Sequence, residues 1–471
     1  MPSAASWSIS TKADRTSLSA ITPSQSKIIS PMVNVPPPCQ GNLAANSRAC
    51  ARHGIARHPW RQSPRGLMRA ILITPPLPSH LRAFEALAQE LARRGHEAVF
   101  LTEPGVLLQG GVAQATLPGP PTRPQPHRLL AEIVTGARRT DRLCRDGLAI
   151  LRGLSPDLIL GDQMEPAGGL LARVLGVPLV SVACAVPMDP EPGIPLPFLG
   201  WPHDPTAGGL RRNRGGERVA DVLMTPQSRA IRRWSRTWGL GDLRRLQDCL
   251  SPRLTVSQMA PGFDYPRPAN GAHVAQLGPF RRGQAPGDFP ADIRPDPDRP
   301  FVYASLGTLQ GHRAGLLSRI ARACRQAGAQ VLVSHAGCLP DDKARAIPAD
   351  WVRGFVPQGA VLARADLCVT HAGLNTALEC LAAGVPMLAL PLTHDQPGVA
   401  ARIVRCGAGL RLPPWQRSTA RMAAAVTALL SDPAHRAAAR HFADAADTWR
   451  GAAGAIDRIE ALLKAPAPAT A

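Results

Sequence analysis

The stretch from Phe355 to Gln396, FVPQGAVLARADLCVTHAGLNTALECLAAGVPMLALPLTHDQ, constrains the fold of this chain more than any other. Leu367-Cys368-Val369 is a short apolar run of strand type, and it meets the polar turn Thr370-His371-Ala372-Gly373. A helical pattern opens there and stops at Gly384, with Pro386 just beyond, before a second short strand and a loop closing on Asp395-Gln396. His371, Asn375 and Glu379 are four residues apart, which predicts that they climb one face of the helix from its first turn. A helix start carries unpaired N–H groups and a partial positive charge, so it is an anion site. Gly373 lets a phosphate approach the backbone closely. Glu379 is placed to hold a ribose, and Asp395-Gln396 to grip sugar hydroxyls. The segment reads as a nucleotide-sugar pocket.

The rest of the chain supports such a pocket. At 471 residues it is long enough for two or three domains with full cores. Helix-period and strand-like runs alternate, which points to α/β architecture. Ten cysteines occur without CxxC pairs, so neither a zinc site nor a disulfide scaffold is indicated, and a reducing cytoplasm fits. No uninterrupted apolar run approaches the roughly 20 residues of a spanning helix. The longest candidate, Ala167 to Met188, contains Arg173, Gly176 and Pro178 and reads as a helix followed by a buried strand. The net charge of +20 raises nucleic-acid binding, but the basic residues are spread along the chain without interleaved aromatics, so no nucleic-acid partner is expected. Attraction to anionic lipid, as a peripheral contact on the inner face of the membrane, stays open.

Residues 1–67 are Ser-, Pro- and Ala-rich with Asp14 as their only acid, and read as a segment outside the fold. They are either a transit-type leader or the product of a start codon called upstream of Met68. Residues 465–471 form a second low-order tail. A Pro- and Asp-rich linker, 281–300, divides residues 68–280 from 301–464.

In the first half, Ala70 to Thr102 reads as a strand, the Pro-rich turn Thr74 to His80, an amphipathic helix and a second strand. Ligands of α/β sheets collect at the carboxyl ends of strands, where His80 falls. Neutral histidine is a suitable base for a hydroxyl. Such a base needs a group that orients it, and the candidate is Asp162, delivered by the apolar run Leu158-Ile159-Leu160. Taken alone, a turn histidine such as His80 is more often an exposed residue than a base, and the alternative for Asp162 is a helix N-cap. From Pro187 to Trp201 the prolines preclude a regular helix, leaving a rigid loop that either walls a groove or covers core. Arg218 to Leu250 has helical spacing with many arginines. In the second half, Phe301 to Ala304 is a strand and Ser305-Leu306-Gly307-Thr308 a small-residue turn able to meet a diphosphate.

The phrases Phe355-Val356-Pro357-Gln358, His371-Ala372-Gly373-Leu374-Asn375-Thr376-Ala377-Leu378-Glu379 and Asp395-Gln396 together resemble the donor signature of UDP-dependent glycosyltransferases of the GT-B fold. The resemblance implies two Rossmann-like domains facing across a cleft, with UDP-sugar held by the carboxy-terminal one and terminal helices (Thr419 to Lys464) packing back on the first. It implies that His80 deprotonates the acceptor and Asp162 steadies it. It further implies that Phe355 stacks on uracil, although plant members carry Trp there. Ser305, Gly307, Thr308, Gln358, His371, Gly373, Asn375, Thr376, Glu379, Asp395 and Gln396 complete the donor site. Reaction is expected to be inverting and metal-free, with fixed N–H groups and a charged His371 neutralising the diphosphate.

Three further phrases, Ile194 to Trp201, Tyr303 to Arg313 and Asp395 to Arg402, resemble a bacterial branch of the family that glucosylates the end-ring hydroxyls of the carotenoid zeaxanthin. That branch implies UDP-glucose as co-substrate and an apolar hydroxylated acceptor. A macrolide, sterol or other lipid acceptor is the alternative within the fold, and a basic membrane- or nucleic-acid-binding protein with a relic pocket is the alternative outside it.

Overall fold

Fully buried strands of a parallel sheet read as near-continuous apolar runs, because helices cover both faces. Two such sets are present. The computed structural model describes residues 67–122, 129–268, 273–281 and 287–464. The expected leader therefore falls outside the description except for Leu67, and the tail 465–471 falls wholly outside it.

The first sheet comprises β1 (Arg69–Ile73), β2 (Glu97–Thr102), β3 (Ala113–Thr116), β4 (Leu158–Asp162), β5 (Leu179–Ala183), β6 (Thr255–Ser257) and β7 (Val274–Gln276). Its order is β3-β2-β1-β4-β5-β6-β7, and every pairing is parallel. Around it lie α1 (Pro78–Arg93), α2 (Leu129–Leu154), α3 (Ala167–Leu175), α4 (Ala207–Leu223) and α5 (Thr225–Thr237). The helical spacing read from Arg218 belongs to two helices broken at Met224, the first starting earlier, where the Thr206 hydroxyl caps the Gly209 amide. The second ends at Thr237, so that up to Leu250 only the 3-10 turn Gln247–Cys249 follows. The prolines from Pro187 to Trp201 leave only a single turn of 3-10 helix, Pro197–Leu199.

The second sheet comprises β8 (Phe301–Ser305), β9 (Gln330–Ser334), β10 (Trp351–Arg353), β11 (Leu367–Thr370), β12 (Met387–Ala389) and β13 (Gly409–Arg411), again all parallel, in the order β10-β9-β8-β11-β12-β13. Its helices are α6 (Gly307–Gln310), α7 (Ala314–Gln326), α8 (Asp341–Arg345), α9 (Gln358–Leu362), α10 (Leu374–Ala382), α11 (Gln396–Arg405), α12 (Thr419–Ser431) and α13 (Pro433–Ala445), followed by α14 (Gly451–Lys464). This is the two-sheet α/β architecture that the sequence led us to expect.

Only part of the expected return of the terminal helices occurs. α12 packs on α7 and α13 on α10, both within the second sheet's layers. α13 touches the first half through Phe442, edge-on to Phe263 at 6.2 Å, and α14 crosses back fully, burying Ala455, Ile456 and Ile459 in the core beneath β1 and α1. Arg94 fixes it by pairing with Asp457 at 2.8 Å and Glu460 at 3.3 Å.

A second bond between the halves runs through charge. Asp264, in the loop after β6, accepts from Arg267 at 2.9 Å and from Arg402 of α11 at 2.7 Å, with the Arg402 guanidinium 4.4 Å from the Tyr265 ring centre. All are buried. Burial alone would raise the Asp264 pKa, but the two guanidiniums outweigh it and hold the carboxyl below its ordinary value, leaving the buried cluster with one net positive charge.

Candidate active site

In an open parallel sheet, ligands settle where the strand order reverses. In the first sheet that point lies between β1 and β4, and the register sets Ile73 beside Gly161. The next residues along, Thr74 and Asp162, therefore emerge side by side at the carboxyl edge. His80 joins them from α1. The helix starts at Pro78, so His80 sits in its first turn and not in the Pro-rich turn expected; proline is favoured at that opening position because it has no N–H to leave unpaired.

His80 Nδ1 lies 2.6 Å from Asp162 Oδ2. The same oxygen accepts the Thr74 hydroxyl at 2.9 Å, and Asp162 Oδ1 accepts the Met164 amide at 2.9 Å. Cys184, just beyond β5, brings its thiol into the cluster, with one ligand-type atom each from His80, Asp162 and Cys184 within 4.8 Å of one another. Three neighbouring strands thus converge on one buried carboxylate. Asp162 is not the N-cap of α3, whose cap is Pro166. With Nδ1–H donated to Asp162, Nε2 is the basic nitrogen of the ring. Burial works to lower the His80 pKa, but the Asp162 charge and hydrogen bond, with the Asp395 charge, outweigh it and hold the pKa above 6.5.

The influence of Asp395 comes from the other half of the molecule. It sits just before α11, and its Oδ2 faces the Val186 amide at 3.5 Å. Burial raises its own pKa. Gln396 is 5% exposed and turns its amide oxygen inward to the Leu392 and Thr393 amides, at 2.8 and 2.9 Å, fixing the loop that presents Asp395. Of the pair expected to grip sugar hydroxyls, Asp395 is the one that faces the cleft chemistry, while Gln396 braces it.

The second sheet repeats the geometry. Its order reverses between β8 and β11, whose last residues Ser305 and Thr370 are in register. His371 does not open a helix: α10 begins at Leu374 with Gly373 as its cap, so only Asn375 and Glu379 share the helix face. His371 occupies the extended lead-in, followed by Ala372 at φ 62°. A non-glycine residue in the left-handed region is uncommon and marks a turn held by its surroundings. The His371 ring fills the space between two glycines. A Cβ on Gly307 or Gly373 would come within 2.6 or 2.5 Å of it, so both glycines make room for a histidine before any phosphate is considered. Ser305-Leu306-Gly307-Thr308 is likewise no simple turn, since α6 starts at Gly307, with Thr308 exposed.

Burial lowers the His371 pKa to about 4. The ring is therefore neutral at pH 7, against the expected counter-charge: no carboxylate offsets its loss of water. Its ring N–H is turned to the Ser305 backbone, which works against burial without overcoming it. The remaining donor residues form one network. Gln358 accepts the Tyr303 hydroxyl at 3.1 Å and donates to Glu379 and, at 3.5 Å, to Thr376. Arg281 pairs with Glu379 at 2.9 Å and donates to the Asn375 carbonyl at 3.3 Å, while Gln258 donates to the Asn375 side chain at 3.1 Å. Phe355 is 73% exposed and lies over Gly337, an open ring face available to stack.

Sequence reasoning missed Thr74, Cys184, Gln258, Tyr303 and Arg281. Thr74 and Tyr303 were within reach, one directly after a recognised strand and the other inside one. Gln258 and Arg281 carry no local signal, because they matter only through contacts with residues about a hundred positions away. Among the described residues the one metal-ligand-type cluster is His80, Asp162 and Cys184, where the close His80–Asp162 contact is filled by a shared proton.

Two phrases singled out separately in the sequence meet in space. The carbonyl of Pro197 would lie 2.5 Å from a Cβ on Gly398, and Pro397 would lie 2.6 Å from one on Gly200. Arg411 closes the contact by donating to the Gly200 carbonyl at 2.5 Å. The Pro-rich loop of the first half is thereby seated on α11 of the second.

Residues 254–443 match the family described as UDP-glucoronosyl and UDP-glucosyl transferase. The chain is similar to the zeaxanthin glucosyltransferase of Pseudescherichia vulneris, 41% identical over 77% of this chain and 90% of that one. It is also similar to the zeaxanthin glucosyltransferase of Pantoea ananas, 37% identical over 72% of this chain and 83% of that one. Among solved structures, the kitacinnamycin glycosyltransferase superposes with a TM-score of 0.68, at 20% identity over 84% of this chain and 99% of that one, which bears on the fold alone. On the sequence matches, the two-sheet fold and the paired switch-point sites together, the chain belongs to the UDP-glucuronosyl and UDP-glucosyl transferase family and is a GT-B glycosyltransferase that uses a UDP-sugar.

Proposed function

We propose that the enzyme transfers glucose from UDP-glucose to the hydroxyl groups of zeaxanthin, with inversion at the anomeric carbon and without a metal. The observation that carries the acceptor is its likeness to two zeaxanthin glucosyltransferases over most of the chain, reinforced by the contact between the Pro-rich loop and α11. The observation that carries the mechanism is the buried His80–Asp162 pair.

In this reading the acceptor hydroxyl gives its proton to His80 Nε2 while its oxygen attacks the anomeric carbon. The bond from that carbon to the diphosphate oxygen breaks on the opposite face, and UDP departs with the bonding electrons. Asp162 holds the ring orientation and balances the imidazolium as it forms. The leaving diphosphate gains hydrogen bonds from the His371 N–H, once that group turns from the Ser305 backbone, from the backbone at Gly307 and from the start of α10, whose dipole favours negative charge. Asn375 and Thr376 lie in that helix's first turn, and Glu379, once free of Arg281, takes the ribose. Phe355 stacks on uracil, and Asp395 orients the sugar.

The test is incubation with zeaxanthin and a panel of UDP-sugars in the presence of a chelator, with product mass and the anomeric coupling constant as readouts. Mono- and diglucosides of β configuration from UDP-glucose are expected. Release of UDP without zeaxanthin-linked product, or loss of turnover on chelation, would overturn the reading.

A further inference from the structure

The solvent face of α4 combines two features that soluble helices keep apart. Val219 is 60% exposed, Val222 73% and Leu223 38%. Arg211, Arg214 and Arg218 line the adjacent edge of the same face, all exposed and with no ion pair or hydrogen bond from their side chains among the described residues. Two acids lie at the far edge of the arginines: Glu217 is half-buried, and Asp221 is engaged by Arg245. The helix is held rigidly from below. A Cβ on Gly216 would lie 2.6 Å from Leu199, and Asn213 donates to the Pro192 carbonyl at 3.1 Å. Both contacts belong to the Pro-rich loop that also rests on α11.

Exposed apolar side chains bordered by unpaired arginines, without intervening acids, are complementary to one kind of surface. A bilayer takes the apolar groups into the boundary between headgroups and acyl chains and the cations onto its phosphates. The net charge of +20 favours such a surface, and among the described residues no helix is long and apolar enough to cross a membrane.

We propose that α4 docks the enzyme on an anionic lipid bilayer, with Val219, Val222 and Leu223 inserted and Arg211, Arg214 and Arg218 on the lipid phosphates. Docking sets the Pro-rich loop directly behind the membrane-facing helix, one helix diameter (~10 Å) from the lipid that dissolves the acceptor. The purpose of the device rests on the acceptor assigned above; the docking itself does not, and can be tested apart from it.

The test is co-sedimentation of the full chain with phosphatidylcholine vesicles with and without phosphatidylglycerol. Binding is expected only with the anionic lipid and weakens with salt. Three arginines at about fivefold each make the R211S/R214S/R218S variant on the order of 100-fold weaker. V219D/V222D is expected to lose binding as well, while R319S/R322S/R325S, which removes the same charge from the exposed face of α7, keeps it. UDP binding unchanged in all three variants shows that they fold. Equal loss in the α4 and α7 variants, or retention in both α4 variants, would overturn the proposal. So would arginine-dependent binding to RNA or DNA without binding to vesicles. If vesicle binding behaves as expected and zeaxanthin is not glucosylated, the acceptor assignment fails and the docking surface stands.

Discussion

His80 and His371 are the same residue on opposite sides of the switch point in two similar sheets, His80 in the helix after β1 and His371 directly after β11. Their electrostatics diverge. His80 meets a carboxylate supplied by the neighbouring strand, so its pKa stays above 6.5 despite burial. His371 has glycines on either side and no acid, so burial outweighs its hydrogen bond to the Ser305 backbone and its pKa falls to about 4. A histidine with a carboxylate can take a proton and keep it through a transition state. One without can only donate a hydrogen bond. Burial is common to both; the partner decides the role.

The strongest way to break this comparison is at His80. His80→Ala is expected to lower kcat by about 10²–10⁴-fold and leave UDP affinity, measured by calorimetry, nearly unchanged. Parallel loss of both would mean the two histidines do not divide base from donor. The converse substitution, His371→Ala, or Glu379→Ala, is expected to weaken UDP binding by about 1.5–3 kcal/mol, the range of hydrogen bonds to charged groups.

The pH dependence sharpens the contrast. The base must be neutral to act, so kcat/KM should fall as pH drops through the His80 pKa, above 6.5, and Asp162→Asn should move that limb to lower pH while reducing the plateau. UDP binding should show no such limb from His371, which stays neutral down to about pH 4. A donor-binding limb near pH 6.5 that disappears in His371→Ala would reverse the assignment. A smaller effect is expected at Thr74→Val, which removes one hydrogen bond from Asp162: about 0.5–1.5 kcal/mol in kcat/KM, with UDP affinity intact. The smallest is Ala372→Gly, where relief of the φ of 62° is offset by the lost buried methyl and the freer unfolded chain, so a net change within about 0.5 kcal/mol is expected in denaturant melts.

Legibility followed how local the determinants are. The apolar runs that became β1, β4, β8 and β11 were plain, because a strand covered on both faces needs unbroken hydrophobicity. α3 ran over the residues expected, bounded by the left-handed Gly176. The lead-in to α10 was not readable. Thr370 to Gly373 has the composition of a helix start, but the His371 ring needs the space of both glycines, and that displaces the helix to Leu374. The destination of the terminal helices was also hidden, since the Ala-rich faces of α12, α13 and α14 are nearly interchangeable until a surface is offered to each.

The sequence by itself determined the architecture, the donor motif and the identities of His80 and Asp162. These follow from periodicity, from turn chemistry and from residue types that few other reactions require together. Only the tertiary structure decided what those residues are. It set Thr74 and Cys184 around Asp162, carried the Asp395 charge to within reach of His80, left His371 without an acid, and seated the Pro-rich loop on α11. A pKa and a contact across a cleft depend on charges and surfaces distant in the chain, and no local pattern encodes that distance.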